Sequence, residues 1–149
     1  MAESNGAIGF GSTSDETAAE VRVSWGVQVQ TLRILLVTNL YPPQELGGYG
    51  RCMSDFCWGL RQRGHYVSVL CSDAPYLGPS GDGPNGENVR RTLRLKGSFQ
   101  NGLTEMKDPS ARANVDRWNQ RQIAEERNGG WDAILLGNLD CLGIELLGE

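Results

Sequence analysis

The spacing of hydrophobic residues predicts strands that alternate with helices from about residue 32 onward. Residues 33–38 (RILLVT) form a continuous apolar run, which is typical of a strand buried on both faces in a parallel sheet. The next apolar positions are spaced i, i+3, i+4 and i+7 and mark one inward face of a helix: Met53, Phe56, Cys57 and Leu60. Gly64 follows as a stop signal, and residues 65–72 (HYVSVLCS) predict a second strand. Together these segments predict a βαβ unit with a right-handed crossover.

A third strand is predicted beyond a long loop that is rich in proline and glycine, residues 74–88. Residues 89–95 (VRRTLRL) have one polar face, which indicates a strand near the edge of the sheet. Two interpretations stay open for its basic side chains and for the lysine that follows. They form a solvated face or they contact an acidic substrate: Arg90, Arg91, Arg94 and Lys96.

A second helix and a fourth strand continue the alternation. Asp108 and Pro109 suit the N-cap and first position of a helix, which is predicted to run to about Asn128. Its apolar stripe is thin, and three side chains are expected to face inward: Val115, Trp118 and Ile123. Residues 131–136 (WDAILL) predict a fourth buried strand. Residues 144–149 (IELLGE) predict a helix that has only just begun, so we expect the chain to be a fragment of a longer protein.

The first thirty residues have a different character. Residues 1–19 are mostly small, polar and glycine-rich, which predicts disorder. Residues 20–31 are predicted to be an extra strand or a linker, because five apolar residues alternate with polar residues or glycine: Val21, Val23, Trp25, Val27 and Val29. Such a strand is either an added edge strand or the last strand of an upstream unit. A Rossmann-like domain is then expected over residues 32–149.

Composition and charge indicate an ordinary globular chain. The 149 residues suffice for one domain, with 39% hydrophobic and 21% charged residues. A net charge of −4 is too small to argue for attraction to nucleic acid or to a membrane. No apolar run approaches the roughly 20 residues of a membrane span, and no signal peptide is visible. We therefore expect a cytoplasmic protein without a transmembrane segment, and peripheral membrane contact stays open.

The cysteines do not form a metal-binding or disulfide pattern. None of the four is arranged as CxxC, and His65 is the single histidine of the chain. We therefore expect small core or near-core thiols in a reducing compartment, and neither a metal nor a cofactor: Cys52, Cys57, Cys71 and Cys141.

The loop over residues 39–50 carries the clearest candidate chemistry. It follows a predicted parallel strand at the carboxyl end, where ligands bind in open α/β sheets. Gly47, Gly48 and Gly50 precede or open the helix, whose N-terminal N–H groups and dipole suit a phosphate. Two interpretations stay open, an anion-binding loop or a long turn closed by glycines. A dinucleotide site is less favoured, because the GxGxxG spacing is absent, although Asp73 ends the second strand where a ribose-binding acid would lie.

The stretch from Leu32 to Asp73 resembles the start of the family 4 glycosyltransferases. The matching features are LRILLVTNLYPPQELGGYGR, a following helix, and LRQRGHYVSVLCSD with its Arg-Gly-His and valine-rich strand. WDAILLGNLDCLGIELL is similar to the family's fourth strand, so the resemblance extends to about Leu147. It implies the N-terminal, Rossmann-like half of a GT-B fold. In such enzymes this half binds mainly the acceptor, and a C-terminal domain, which these residues do not contain, binds most of the nucleotide-sugar.

The resemblance also implies roles for particular residues. Gly47 and Gly48, with Gly50 and Arg51 at the helix start, would face the donor's diphosphate and transferred sugar. Arg51 either adds a charge-assisted contact or is a solvated first-turn residue. His65 matches a structural position at the start of the second strand.

The end of the fourth strand supplies candidate acceptor contacts. Asn138 and Asp140 would touch an acceptor hydroxyl, although capping of the next helix is an equally good interpretation of Asp140.

Two departures limit what this chain does alone. The family's catalytic histidine follows a fifth strand, which would begin after Glu149, and the donor domain's glutamate pair, separated by seven residues, is missing. The catalytic residues therefore stay unknown, and we expect the isolated chain to be inactive. The whole protein is expected to transfer a sugar, with retention, from a nucleotide-sugar to a hydroxyl of a sugar or lipid-linked acceptor. The alternatives are a non-catalytic α/β binding or interaction module and, less favoured, a dinucleotide-binding oxidoreductase domain.

Overall fold

The structure, a computed structural model, describes residues 30–147. The predictions of disorder in residues 1–19 and of a strand within residues 20–29 lie outside these residues. Gln30 and Thr31 precede the first strand and belong to no regular element.

The described chain is an α/β unit built on a four-stranded parallel sheet, as the sequence predicted. Its order is β3-β2-β1-β6, and β4 and β5 form a separate antiparallel pair. Two 3₁₀ turns, Pro75–Leu77 and Ile144–Leu147, complete the structure. The strands and helices are β1 (Arg33–Val37), α1 (Tyr49–Gln62), β2 (Tyr66–Ser72), β3 (Asn88–Leu93), β4 (Gly97–Ser98), β5 (Thr104–Glu105), α2 (Pro109–Glu126) and β6 (Ala133–Leu136).

The two helices cover opposite faces of this sheet. Alternate residues of β1 pack into two separate apolar clusters, with Leu36 in one and Leu35 in the other. The first cluster contains Cys57 of α1, and the second contains Ile123 of α2. Because β1 is buried on both faces, its continuous apolar run is explained and the Rossmann-like prediction is confirmed at the level of the fold.

The face that α1 buries differs from the predicted one. Phe56 was expected to face inward but is 56% exposed, and Cys52 is also exposed. The buried helix residues are Gly50, Ser54 and Cys57, with Met53 and Leu60 packed at one flank. The apolar stripe is therefore wider than the contact with the sheet, and spacing alone did not reveal which part of the stripe is buried.

Strand β6 was predicted to be buried, and that prediction is wrong. Among residues 30–147 it pairs with β1 alone, and Ile134 and Leu136 are 56% and 43% exposed. The run AILL suggested a strand covered on both faces, but in the described part of the chain β6 is an edge strand that α1 and α2 do not fully cover.

Helix α2 begins as the sequence predicted. The Asp108 carboxylate accepts a hydrogen bond from the Ser110 N–H at 2.9 Å, and Pro109 occupies the first turn. Val115 and Ile123 are buried, while Trp118 is half-buried and its indole N–H donates to the Thr92 carbonyl. No described helix is both long enough and apolar enough to span a membrane.

The basic residues on and after β3 have partners within the chain. Arg94 is exposed, as a solvated face requires, whereas Lys96 is buried, and a contact with an acidic substrate stays a prediction. Arg90 forms a bidentate ion pair with Glu126. The Cζ of Arg94 lies 3.8 Å from the centroid of the Trp118 ring. Lys96 is buried, and its ammonium lies 2.9 Å from Asp116 and 3.0 Å from Glu145. Arg91 donates to loop carbonyls that belong to the candidate site. These cations therefore connect β3 to its surroundings.

Asn119 joins α2 to the chain that leaves β3. It is fully buried, and its amide accepts from the Arg94 N–H and donates to the Arg94 carbonyl, both at 2.8 Å.

We expect Asn119→Ala to lower the free energy of unfolding by about 2–4 kcal/mol, because it leaves two backbone groups without partners. Urea denaturation would measure this, with Asn114→Ala, an exposed asparagine of the same helix, as the control. Equal stability of the two variants would contradict the assigned role.

Candidate functional site

The loops after β1 and β6 meet where the direction of the sheet reverses. From β1 the chain proceeds to β2 and β3 on one side, whereas β6 lies on the other side of β1. In open α/β sheets, ligands bind in the crevice at the carboxyl ends of the strands at such a point. The candidate residues from the sequence lie in these two loops or at the start of α1.

The loop after β1 turns sharply before it reaches its glycines. The Gln44 N–H donates to the Tyr41 carbonyl at 3.1 Å, and the Pro42–Pro43 peptide bond is cis. The Arg91 guanidinium donates to the Tyr41 carbonyl at 3.0 Å and to the Pro42 carbonyl at 2.7 Å. This arginine of an edge strand therefore holds the loop against the sheet.

Gln44 is the second side chain that fixes this loop. Arg91 and Gln44 are together called the loop clamps. It is fully buried, and its side-chain carbonyl accepts from the Ala74 N–H at 2.8 Å. Its amide donates to Asp73 at 2.8 Å and to the carbonyl of Gly78 and the hydroxyl of Ser80, both at 3.2 Å. The sequence analysis missed this residue, because a glutamine within a loop carries no periodic signal of burial.

Gly47 and Gly48 connect the part of the loop that Gln44 holds to α1, and Gly50 lies in the first turn of the helix. Gly47 has a φ of +68°, a conformation that favours glycine, and Gly48 is the N-cap of the helix. A Cβ at either position would meet nothing within 4 Å, so the space in front of the helix is open. Gly50 is buried, and a Cβ there would lie 3.1 Å from Cβ of Glu45.

The N-terminus of α1 is open to an anion. No side chain within the described residues caps it, and its first turn contains no acidic residue. Its backbone N–H groups and the positive end of its dipole therefore point into the open space beside Gly48. Arg51 is an exposed first-turn residue, and its guanidinium is paired with Glu45 at 2.8 Å. A ligand that recruited Arg51 would have to compete with this carboxylate.

Asn138 and Asp140 lie in the loop after β6, and they contact each other. The Asn138 side-chain oxygen accepts from the Asp140 N–H at 2.9 Å, so Asn138 closes a local turn. Asp140 does not cap a helix, because the next turn, Ile144–Leu147, begins four residues later. That interpretation is wrong. The exposed Asp140 side chain lines a cavity of about 280 Å³ whose other walls include Lys96, Glu105 and Arg112.

Asn39 joins the two loops, and the sequence analysis did not single it out. Its N–H donates to the Asn138 carbonyl at 2.7 Å, and its side-chain amide donates to the Asp140 carbonyl at 3.1 Å. Within residues 30–147, no hydrogen bond or ion pair links Asn138 or Asp140 to the glycine-rich end of the first loop. The structure therefore connects the two candidate groups through the end of β1.

The remaining candidates have structural roles. His65 accepts a hydrogen bond from the Leu32 N–H at 3.2 Å, as expected for a structural residue at the start of β2. Cys57 and Cys71 are buried, and burial raises their pKa values to about 11 and about 12. These two thiols are therefore protonated at neutral pH. Among residues 30–147, no group of three or more His, Cys, Asp or Glu side chains is arranged to hold a metal ion.

Three comparisons with known proteins found no relative of this chain. A scan against protein-family models and searches of curated proteins and of solved structures gave no match. The glycosyltransferase resemblance therefore stays a hypothesis that depends on the motifs of the sequence.

The pKa of Asp73 depends on its hydrogen bond with Gln44, one of the two loop clamps. Hydrogen bonds from Gln44 and Ser80 lower its pKa below the ordinary 3.8. A carboxyl whose pKa is lowered by folding stabilises the fold above about pH 4, and this contribution is lost as the pH falls through the lowered pKa.

We expect Gln44→Leu to raise the pKa of Asp73 toward 3.8, as measured by NMR titration of its side-chain carbon. Ser80→Ala should act in the same direction, Gln62→Leu on the exposed end of α1 should have no effect, and an unchanged pKa in both test variants would contradict the clamp.

Proposed function

We propose that the chain is the acceptor-side half of a retaining GT-B glycosyltransferase. In this proposal, the Gly47–Gly48 loop and the start of α1 receive the diphosphate of a nucleotide-sugar. Acceptor hydroxyls approach the neighbouring loop at Asn138 and Asp140. Most of the donor pocket would belong to a second domain, so the isolated chain would not transfer sugar.

One observation carries the proposal. An uncapped helix N-terminus, opened by two glycines with free space around them, lies at the carboxyl end of β1 beside the reversal point of the sheet. This combination suits a phosphate group and matches the motif order that resembles the family. The clamps at Arg91 and Gln44 favour the same role, because a fixed loop needs little reorganisation when an anion binds.

The mechanism assigned to these residues is electrostatic. As the bond between sugar and diphosphate breaks, negative charge develops on the leaving phosphate. Backbone N–H groups and the dipole of α1 would stabilise that charge without proton transfer. Asp140 would accept a hydrogen bond from an acceptor hydroxyl and orient it. The catalytic residues of the transfer itself are not assigned to this chain.

A non-catalytic binding module is the second candidate function. The exposed apolar edge of β6 favours it, because such an edge pairs readily with a strand. The two candidates differ in a simple respect, since the enzyme requires an anion at the glycine loop and the module does not.

Pyrophosphate tests the anion site directly. We expect the backbone amide signals of residues 47–52 to shift in NMR spectra when pyrophosphate is added at constant ionic strength. UDP-glucose, GDP-mannose and ADP-glucose should shift the same signals at millimolar concentrations. Unchanged signals with all four compounds would remove the proposed function.

A pair of variants at Gly48 tests how a negative charge at the start of α1 affects the binding of pyrophosphate. Its φ of −92° is accessible to any residue and its Cβ direction is empty, so Gly48→Asp and Gly48→Asn both fit. We expect Gly48→Asp to weaken pyrophosphate binding about tenfold relative to Gly48→Asn. The reason is that each pair of like charges about 5 Å apart repels by about 1 kcal/mol even in water. Equal affinity of the two variants would indicate that the anion binds elsewhere. Sugar transfer by the isolated chain would also contradict the proposal.

A further inference from the structure

A cavity separate from the one at Asp140 lies at the carboxyl ends of β2 and β3, beside α2. Its volume is about 470 Å³, within the range of roughly 300–1,000 Å³ that is usual for small-molecule sites. Within residues 30–147, its lining contains neither Asp140 nor the glycines of the first loop. The lining includes two aromatic and three charged side chains: Tyr76, Trp118, Asp73, Arg91 and Arg94.

Both aromatic side chains of this cavity are fixed by hydrogen bonds. The Tyr76 hydroxyl accepts from the Phe99 N–H at 3.0 Å, and the Trp118 indole N–H donates to the Thr92 carbonyl at 2.7 Å. Tyr76 is nevertheless 39% exposed. The cavity therefore offers a ligand an apolar ring whose position is already set, and little side-chain entropy would be lost on binding.

Arg94 is the cation of this cavity that is available to a ligand. Its Cζ lies 3.8 Å from the centroid of the Trp118 ring, so the ring holds the guanidinium in place. Within the described part of the chain, the Arg94 guanidinium forms no hydrogen bond and no ion pair. The Arg91 guanidinium, by contrast, already donates to three carbonyls of the neighbouring loops. A ligand would therefore receive hydrogen bonds from Arg94.

Asp73 supplies the matching acceptor. Its Oδ1 accepts from the Gln44 amide and from the Ser80 hydroxyl, both at 2.8 Å. Among residues 30–147, no group donates to Oδ2 or forms an ion pair with it. One oxygen therefore fixes the carboxylate, and the other is left for a ligand.

These groups select among ligands by charge and shape. Asp73 would repel a phosphate, and Arg91 and Arg94 would repel an amine. A flat nucleobase would compete with Arg94 for the face of Trp118 that the guanidinium covers. A neutral pyranose ring fits every feature, because its apolar C–H face packs on an aromatic ring while its hydroxyls both donate and accept hydrogen bonds.

We propose that the cavity lined by Tyr76 and Trp118 binds the pyranose ring of a neutral sugar. The C–H face of the sugar would lie on the Tyr76 ring. Its hydroxyl oxygens would accept from the Arg94 guanidinium, and a hydroxyl would donate to Oδ2 of Asp73. Sugar binding does not depend on the proposed function, whereas its use for an acceptor rests on that function.

In the proposed function, the position of the cavity suits an acceptor of more than one sugar. Leu95 and Gly97 line this cavity, and Lys96, between them, lines the cavity at Asp140. A stretch of three residues therefore separates the two cavities. One sugar of the acceptor would be held at Tyr76 while a hydroxyl of the neighbouring sugar reaches Asp140.

NMR titration of the 149-residue chain tests the cavity without any phosphate compound. The probes are methyl α-D-mannopyranoside, methyl β-D-glucopyranoside, methyl β-D-galactopyranoside and N-acetyl-D-glucosamine. D-sorbitol is the control, because it carries similar hydroxyls but has no ring. We expect at least one of the four sugars to shift the Trp118 indole N–H signal with a millimolar dissociation constant, and sorbitol to bind at least about tenfold more weakly.

Matched variants separate the contacts of the sugar from the fold. Tyr76→Ala should weaken binding about tenfold, because it removes the ring, whereas Tyr76→Phe keeps the ring and should stay within about twofold of the unmodified chain. Arg94→Ala should also weaken binding about tenfold. Arg63→Ala, which removes an exposed arginine at the end of α1, should have no effect. Unchanged backbone amide signals of β1 and β2 verify the fold of each variant.

Four outcomes would overturn the proposal. Unchanged Trp118 signals with all four sugars would show that the cavity does not bind them, and equal affinities of Tyr76→Ala and Tyr76→Phe would exclude stacking on Tyr76. Tighter binding of adenosine or inorganic phosphate would assign the cavity to another class of ligand. Nuclear Overhauser contacts from residues 1–29 to the Trp118 ring would assign it to the chain itself.

The outcome for the proposed function is read separately. Sugar binding together with unchanged signals of residues 47–52 in pyrophosphate would support this inference and remove the proposed function. Shifts of residues 47–52 in pyrophosphate with no effect of the sugars on Trp118 would do the reverse.

Discussion

Burial of β1 on both faces is the constraint on which the rest of the structure depends. This strand pairs with β2 on one side and β6 on the other, and its alternate residues supply both apolar clusters. Its position sets the point where the sheet reverses direction and thereby places the loops after β1 and β6 side by side. The candidate site is thus a consequence of how one apolar strand is enclosed.

Residues distant in sequence hold the shape of the first loop. Arg91 on β3 fixes the carbonyls of Tyr41 and Pro42, and Gln44 bonds to the chain after β2. The glycines then lie between this fixed turn and the first turn of α1. The loop therefore combines a rigid base with an open tip, an arrangement suited to binding without large rearrangement.

The sequence predicted the strands and helices of the parallel sheet well, because each segment carries its own periodic signal. Burial was predicted less well, since it depends on neighbours. Phe56 continues the apolar stripe of α1 but lies beyond the contact with the sheet, and β6 has an interior composition at an edge. The ion pairs of Arg90 and Lys96 were also missed, because their partners lie 20 to 49 residues away.

The same limit applies to the candidate site. Gly47, Gly48 and Gly50 could be identified from their spacing, because open turns and helix starts need glycine at defined positions. Asn39 and Gln44 could not, since a polar residue in a loop gives no sign of which distant group it will meet. The structure is needed to find the residues that support a site, even where the sequence identifies the loop itself.

The bond between Asn39 and the loop after β6 also bears on the order in which the molecule is assembled. Asn39 and Asp140 are 101 positions apart, so nearly the whole described chain must be made before they meet. During synthesis, α1 and its glycine loop can form once β1 and β2 have emerged, but only one wall of the crevice then exists. The crevice closes only when β6 docks against β1, so it forms later than α1 and its glycine loop.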